Sequence, residues 1–339
     1  MNGFRRICEV LIGLVFFVAG TLKLMDPVGS GLIVDEYFKF FHLGFILFAS
    51  RFLACALALF ECVLGSALIA GVWRKAVAMI SGVTIIFFTI ITLILFIAKP
   101  AMDCGCFGEF IHLGHGQTLL KNLILAALWL LAFMPMRNLG EPQRLKYVSF
   151  GIAAFSSFLF LLYSVLSIPL RDYTDFQPGN ELEAFYFSDA SGEYADSLAM
   201  AGKVMIVSAY EPAGLGPEKV ERIAEFLRVS YEKGYTPLFL TASTPEDIAS
   251  LSTDPVLLAQ TYFADRKLLM TFNRANGGAT MLTDGQIIRK WSGRSLPAVS
   301  ELDAINEKAP MDYMVSSLNR TRALFQGYLI YVLAVLMLL

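Results

Sequence analysis

The stretch RKAVAMISGVTIIFFTIITLILFIAKPAMDCGCFG, Arg74 to Gly108, holds the pattern that decides the fold. Between Lys75 and Lys99, the run Ala76 to Ala98 carries no charged side chain. In helical form it is long enough to cross a bilayer core about 30 Å thick. Cys104 and Cys106 follow at once, with His112 and His115 just beyond. A charge-free helix ending at a short loop of reactive side chains reads as a membrane span that carries a polar segment to one bilayer face.

Composition agrees with a membrane setting. The mean hydropathy of +0.60, with 56% hydrophobic and 17% charged residues over 339 positions, is more apolar than a soluble fold requires. Six segments reach spanning length: Ile7 to Met25, Phe45 to Val72, Ala76 to Ala98, Thr118 to Met136, Val148 to Leu170, and Ala323 to Leu339. The first reads as a retained span, because no small-residue cleavage pattern follows it. Leu170 to Ser317 has ordinary soluble composition, so a domain boundary is expected near Leu170. The expected organisation is a four-helix membrane bundle over residues 1–137, a fifth transmembrane helix over 148–170, an α/β domain over 171–318 and a sixth helix over 319–339.

Charge sets the expected orientation. Arg5 and Arg6, Arg74 and Lys75, and Arg137, Arg144 and Lys146 lie in short connections that the positive-inside rule assigns to the cytoplasm. Asp26 to Gly44, the cysteine segment and the soluble domain then lie outside. Arg320 and Arg322 oppose the rule, but charges beside a large translocated domain weigh little in it. The expectation is a multi-pass protein of a bacterial cytoplasmic (inner) membrane, both ends inside, with its soluble domain in the periplasm. A formal net charge of −2 offers no basic surface and excludes nucleic acid as a partner.

Of five cysteines, Cys8, Cys55 and Cys62 lie within spans and read as small apolar packing groups. Cys104 and Cys106 stand in an outward loop, where the compartment is oxidising. Three readings stay open. The pair closes a small disulfide ring that braces the loop. Alternatively it exchanges electrons, since a ring across one residue departs from relaxed geometry and Gly105 and Gly108 supply backbone freedom. In the third, Cys104, Cys106, His112 and His115 form C-x-C-x5-H-x2-H, a set that zinc accepts. Glu61 lies deep in the second span, where charge is costly, and is expected to face the bundle interior with a partner or to be protonated. Lys23 and Lys121 lie near the outer ends of their spans and read first as snorkelling, with pairing to Glu61 or lowering of a thiol pKa as the alternatives.

Cys104-Gly105-Cys106-Phe107-Gly108, with Lys121-Asn122 in the next span and Gly20, Lys23, Asp26 and Pro27 at the end of the first, resembles the MauE/DoxX-like membrane family over about residues 1–136. That resemblance implies a four-helix bundle involved in forming disulfides in exported partners. It also implies a plan similar to the quinone-coupled vitamin K epoxide reductases, which use C-x2-C where this chain has C-x-C. The candidate catalytic residues are Cys104 and Cys106. Gly105, Phe107, Gly108, Lys23, Asp26, Glu61, Lys121 and Asn122 support them.

In the soluble part, Val204 to Ser208 and Pro237 to Leu240 read as buried strands around an amphipathic helix from Pro217 to Lys233. Thr244 and Pro245 start a further helix. Tyr262 to Asp265 reads as a short strand and Arg266 to Arg274 as a short helix. Asp284-Gly285 then turns a hairpin between Ala279 to Leu282 and Gln286 to Trp291. This order resembles thioredoxin-like folds, with the chemistry removed. Ala209 to Gly214 stands where such proteins carry C-x2-C, and Asn276 to Ala279 where they carry a cis-proline. Two function classes follow. One is a membrane thiol–disulfide oxidoreductase acting on an exported thiol-containing protein, with a quinone as the cofactor that the sequence leaves open. The other is a non-enzymatic envelope protein that anchors a thioredoxin-like binding module and holds a structural disulfide.

Overall fold

A computed structural model describes residues 3–100, 102, 104–136, 139, 144–166, 169, 174–307 and 309–339, without the side chains of 320 and 321. Arg137, Leu170 and the start of the expected domain at Arg171 lie outside the described residues, as does the side chain of Arg320. The chain forms two compact units, Met1–Leu166 with Gly327–Leu339, and Ser167–Gln326.

The first unit is helical: α1 (Gly3–Met25), α2 (Pro27–Phe40), α3 (Ser50–Ala70), α4 (Arg74–Ala98), α5 (His115–Phe133) and α6 (Arg144–Leu166). A short extended segment, β1 (Cys106–Glu109), precedes α5. The end of α12 (Pro310–Leu338) completes the unit. Among the described residues six helical segments are long and apolar enough to cross a membrane. Their exposed faces carry large apolar groups such as Phe52, Ile86, Ile90, Ile97 and Phe155, as lipid contact demands.

Helix α1 lies against α3 at very close range. A Cβ added at Gly65 would stand 2.4 Å from the Phe17 nitrogen and 2.6 Å from the Gly13 oxygen, and one at Gly20 would stand 2.5 Å from the Ala58 oxygen. In a bilayer, where helices gain little from hydrophobic association, such backbone proximity supplies the packing energy. Cys8, Ile12, Phe16, Cys62 and Leu68 fill the seam. Helix α5 joins α4 through the Trp129 indole, which donates to the Ala78 carbonyl at 2.9 Å.

The basic residues gather at one end of this bundle. Arg5 Nε donates to the Ala132 carbonyl at 2.8 Å and Arg6 to that of Leu68 at 2.9 Å, so each guanidinium caps the carbonyl-rich end of a neighbouring helix. Glu9, 1% exposed, lies between Arg6 at 2.8 Å and Arg74 at 3.6 Å. The Lys146 ammonium binds the carbonyl of Leu339 at the same end. The cysteine segment lies at the opposite end.

Two expectations are corrected. Asp26 to Gly44 is not an open loop, because Pro27 to Phe40 is helical: the Asp26 carboxylate accepts from the Gly29 N–H at 2.9 Å and Pro27 fills the first turn. The last helix starts at Pro310 instead of Ala323, because nothing breaks the helix between Pro310 and the apolar run.

The second unit is built on β2 (Lys203–Ala209), α7 (Pro217–Glu232), β3 (Thr236–Thr241), α8 (Pro245–Leu251), α9 (Pro255–Ala259), β4 (Thr261–Phe263), α10 (Arg266–Phe272), β5 (Gly278–Thr283), β6 (Gln286–Trp291) and α11 (Val299–Asn306). The strand order is β4-β3-β2-β5-β6, with β2, β3 and β4 parallel and β5 and β6 antiparallel. Asp284 and Gly285 take φ values of 49° and 77°, the left-handed pair that a two-residue hairpin turn needs. Val220, Ile223, Ala224 and Leu227 on α7 pack over Met205, Val207 and Phe239 of the sheet. Phe176, Phe185, Phe187 and Phe272 form a chain of edge-on and tilted ring contacts.

Candidate functional site

The CGCFG segment folds back over the ends of α1 and α2. Gly105 has φ of 57° and a Cβ there would meet Ile33 of α2 at 2.4 Å. Only glycine satisfies both conditions. The Gly108 N–H returns to the Gly105 carbonyl at 3.1 Å, closing a tight turn around Cys106 and Phe107. Gly108, at φ of 62°, lies over the last turn of α1, where its Cβ position is 3.5 Å from the Lys23 Cα. Tyr37 of α2 donates its hydroxyl to the Cys104 carbonyl at 2.9 Å. Burial, followed by the negative charge available at Cys104 and Cys106, holds the Tyr37 phenol above its usual range, so it stays a donor.

No S–S bond joins Cys104 to Cys106 in this structure. Cys104 is 4% exposed and its Sγ lies 3.1 Å from Nδ1 of His115, the first residue of α5. Nε2 of the same ring lies 3.1 Å from the Pro100 carbonyl. A carbonyl only accepts, so Nε2 carries the hydrogen and Nδ1 is left to take a proton from the thiol. Cys104 Sγ thus faces the acceptor nitrogen of an imidazole at the start of α5. Cys106 has intermediate exposure.

Beneath the segment lies a buried ion pair. Both oxygens of Glu61 are 2.7 Å from Lys23 Nζ, with side chains 3% and 10% exposed respectively. Lys23 is therefore Glu61's partner, not a snorkelling residue, because α1 and α3 approach closely enough through Gly20 to bring the two together. Lys121 sits over the Phe107 ring at 5.2 Å and within Coulombic reach of Glu61. Asn122, also buried, donates to Thr92 of α4 at 3.1 Å. Asp26 acts as the cap of α2.

The structure thus brings Cys104, Gly105, Cys106, Phe107 and Gly108 together with His115, Lys23, Glu61 and Lys121 at one end of the bundle. Among the described residues no three His, Cys, Asp or Glu side chains gather as a metal site requires. Sequence reasoning missed Tyr37, Pro100 and the specific pairing of His115 with Cys104. The available signal for the last was a histidine at the first position of a helix that follows a cysteine loop.

Residues 1–135 match the family model described as methylamine utilisation protein MauE. The match covers less than half of the protein, and four of the six helices long and apolar enough to cross a membrane lie within it, so this part of the chain is similar to MauE membrane proteins. No match was found among curated proteins or solved structures.

Proposed function

We propose that this membrane protein is a thiol–disulfide oxidoreductase of the bacterial envelope, with Cys104 and Cys106 as its exchanging sulfurs on the periplasmic side. The observation that carries the reading is the 3.1 Å contact of Cys104 Sγ with His115 Nδ1, in a ring whose other nitrogen is engaged by Pro100. A brace has no use for a proton acceptor at its sulfur. In the oxidised form the pair accepts two electrons from the thiols of an exported protein, whose sulfurs join. The resulting dithiol yields two electrons and two protons to a quinone dissolved in the bilayer, which becomes the quinol, and the Cys104–Cys106 bond re-forms. The sheet of the second unit, with parallel β2 and β3 beside an antiparallel hairpin, supports a thioredoxin-like module that presents the partner.

The test uses the full-length protein in vesicles with a short-chain quinone and a peptide dithiol. Peptide oxidation should match quinol formation one for one and be lost in Cys104→Ser and in Cys106→Ser. Unchanged oxidation in both variants would sink the proposal.

Two observations favour the second reading, a non-enzymatic anchor for a binding module with a structural disulfide. No cysteine follows Cys106. In addition, the loop after β2 is closed by Asn276, which accepts from the Glu211 N–H at 3.1 Å and donates to its carbonyl at 2.7 Å. A loop pair that stays fully oxidised in cells even when quinones are depleted would support it.

A further inference from the structure

Two sulfurs one residue apart need not play the same part, and their surroundings separate them. Cys104 is 4% exposed, its carbonyl is held by Tyr37 at 2.9 Å and its Sγ faces His115 Nδ1 at 3.1 Å. Cys106 keeps partial exposure in the tight turn that Gly105 and Gly108 close. A thiolate displaces a disulfide sulfur only if it reaches that sulfur from the side away from the leaving one. A protein partner has such access to Cys106 and not to Cys104. Resting on the exchange reading above, we infer that Cys106 is the sulfur that carries the mixed disulfide with the partner. Cys104 is then the inner, leaving sulfur, and His115 is the catalytic residue that exchanges its proton.

The steps balance as follows. A partner thiolate, its proton lost to solvent, forms a bond to Cys106 Sγ while the Cys104–Cys106 bond breaks. The electron pair of that bond leaves on Cys104 Sγ, which takes a proton that solvent delivers through His115 Nδ1, leaving the ring neutral. The partner's second thiolate then attacks the partner sulfur held by Cys106. The partner departs as a disulfide, and the electron pair and a proton come to Cys106 Sγ. In the return step the Cys104 thiol gives its proton to His115 Nδ1 as the dithiol passes two electrons and two protons to the quinone. The alternative assignment, with Cys104 attacked first, would place the partner on a residue that is only 4% exposed and set His115 beside the sulfur that bears the partner.

The experiment measures each sulfur alone in the full-length protein. Cys104→Ser leaves Cys106 in the loop and Cys106→Ser leaves Cys104. With glutathione disulfide, a bulky probe, Cys106 should react at least about tenfold faster than Cys104. With methyl methanethiosulfonate, small enough to reach both, His115→Gln should slow Cys104 about tenfold at about pH 7 and leave Cys106 within about twofold. His115→Asn provides a second removal of the imidazole should the glutamine variant fail to fold. Equal glutathione rates, a faster Cys104, or equal slowing of both sulfurs on loss of the imidazole would overturn the assignment. These rates need neither quinone nor protein partner, so a silent vesicle assay would end the oxidase reading without touching them.

Discussion

Lys23 shows how far a single side chain depends on its surroundings. Its ammonium lies 2.7 Å from both oxygens of Glu61, in a part of the protein closed to water. Removing one member leaves the other as an uncompensated buried charge, which costs more than the pair itself contributes. Lys23→Met should therefore destabilise the protein by about 3 kcal/mol or more, and Lys23→Met with Glu61→Leu should recover much of the loss, as read by thermal unfolding in detergent. Equal losses in the single and double variants would contradict the pairing. Tyr37 carries a pH dependence. Its phenol is held above the ordinary range by burial and then by Cys104 and Cys106, so the neutral form belongs to the folded state. That stabilisation is complete below the unfolded value of about 10 and is lost as pH rises beyond it towards the folded one. Wild-type stability should fall on titration above about pH 10, and Tyr37→Phe should remove part of that fall. At this scale the sequence made the cysteines, Glu61 and both lysines legible, since each is chemically conspicuous in apolar surroundings. It did not make the partners legible, because the contact of Cys104 with His115 depends on how the loop folds back over α1 and α2.

Among the helices, the crossing of α1 and α3 sets the position of everything above it. Gly13, Gly20 and Gly65 let two backbones meet where any Cβ would collide. Gly65→Leu should separate the helices, lower the melting temperature and break the Lys23–Glu61 pair. A variant of unchanged melting temperature would show that the crossing is not needed. All six apolar segments were readable from their composition because a bilayer imposes length and hydropathy on a span. Helix α2 escaped notice, although Asp26 and Pro27 are a helix-start signal. In the second unit the β5–β6 hairpin was plain from Asp284-Gly285, whose local turn chemistry dictates register without help from the rest of the fold. Helices α9 and α11 were missed, being short and held by tertiary contacts such as that of Lys203 Nζ with Asn306 Oδ1 at 2.8 Å.

At the scale of the molecule, the chain carries a membrane-helix unit, Met1–Leu166 with Gly327–Leu339, and a mixed-sheet unit, Ser167–Gln326. The proposed presenting role of that unit has a direct consequence. Deleting residues 172–319 in frame should leave the bundle inserted and still reactive towards the peptide dithiol, while oxidation of a folded partner falls. Full oxidation of the folded partner by the deletion variant would remove the role. The two units were legible as a change of composition along the chain, whereas the sheet order was legible only as an alternation of strands and helices, because pairing partners far apart in sequence leave no local mark.

Finally, the guanidinium groups of Arg5, Arg6 and Arg74 close the carbonyl ends of neighbouring helices or flank Glu9. If the same groups are read during insertion to choose the cytosolic face, topogenic signal and architectural bolt reside in the same atoms. Neutralising them to invert the protein would loosen the very bundle whose direction was being asked about. An inversion experiment succeeds only by adding lysines to the opposite loops and leaving these three in place.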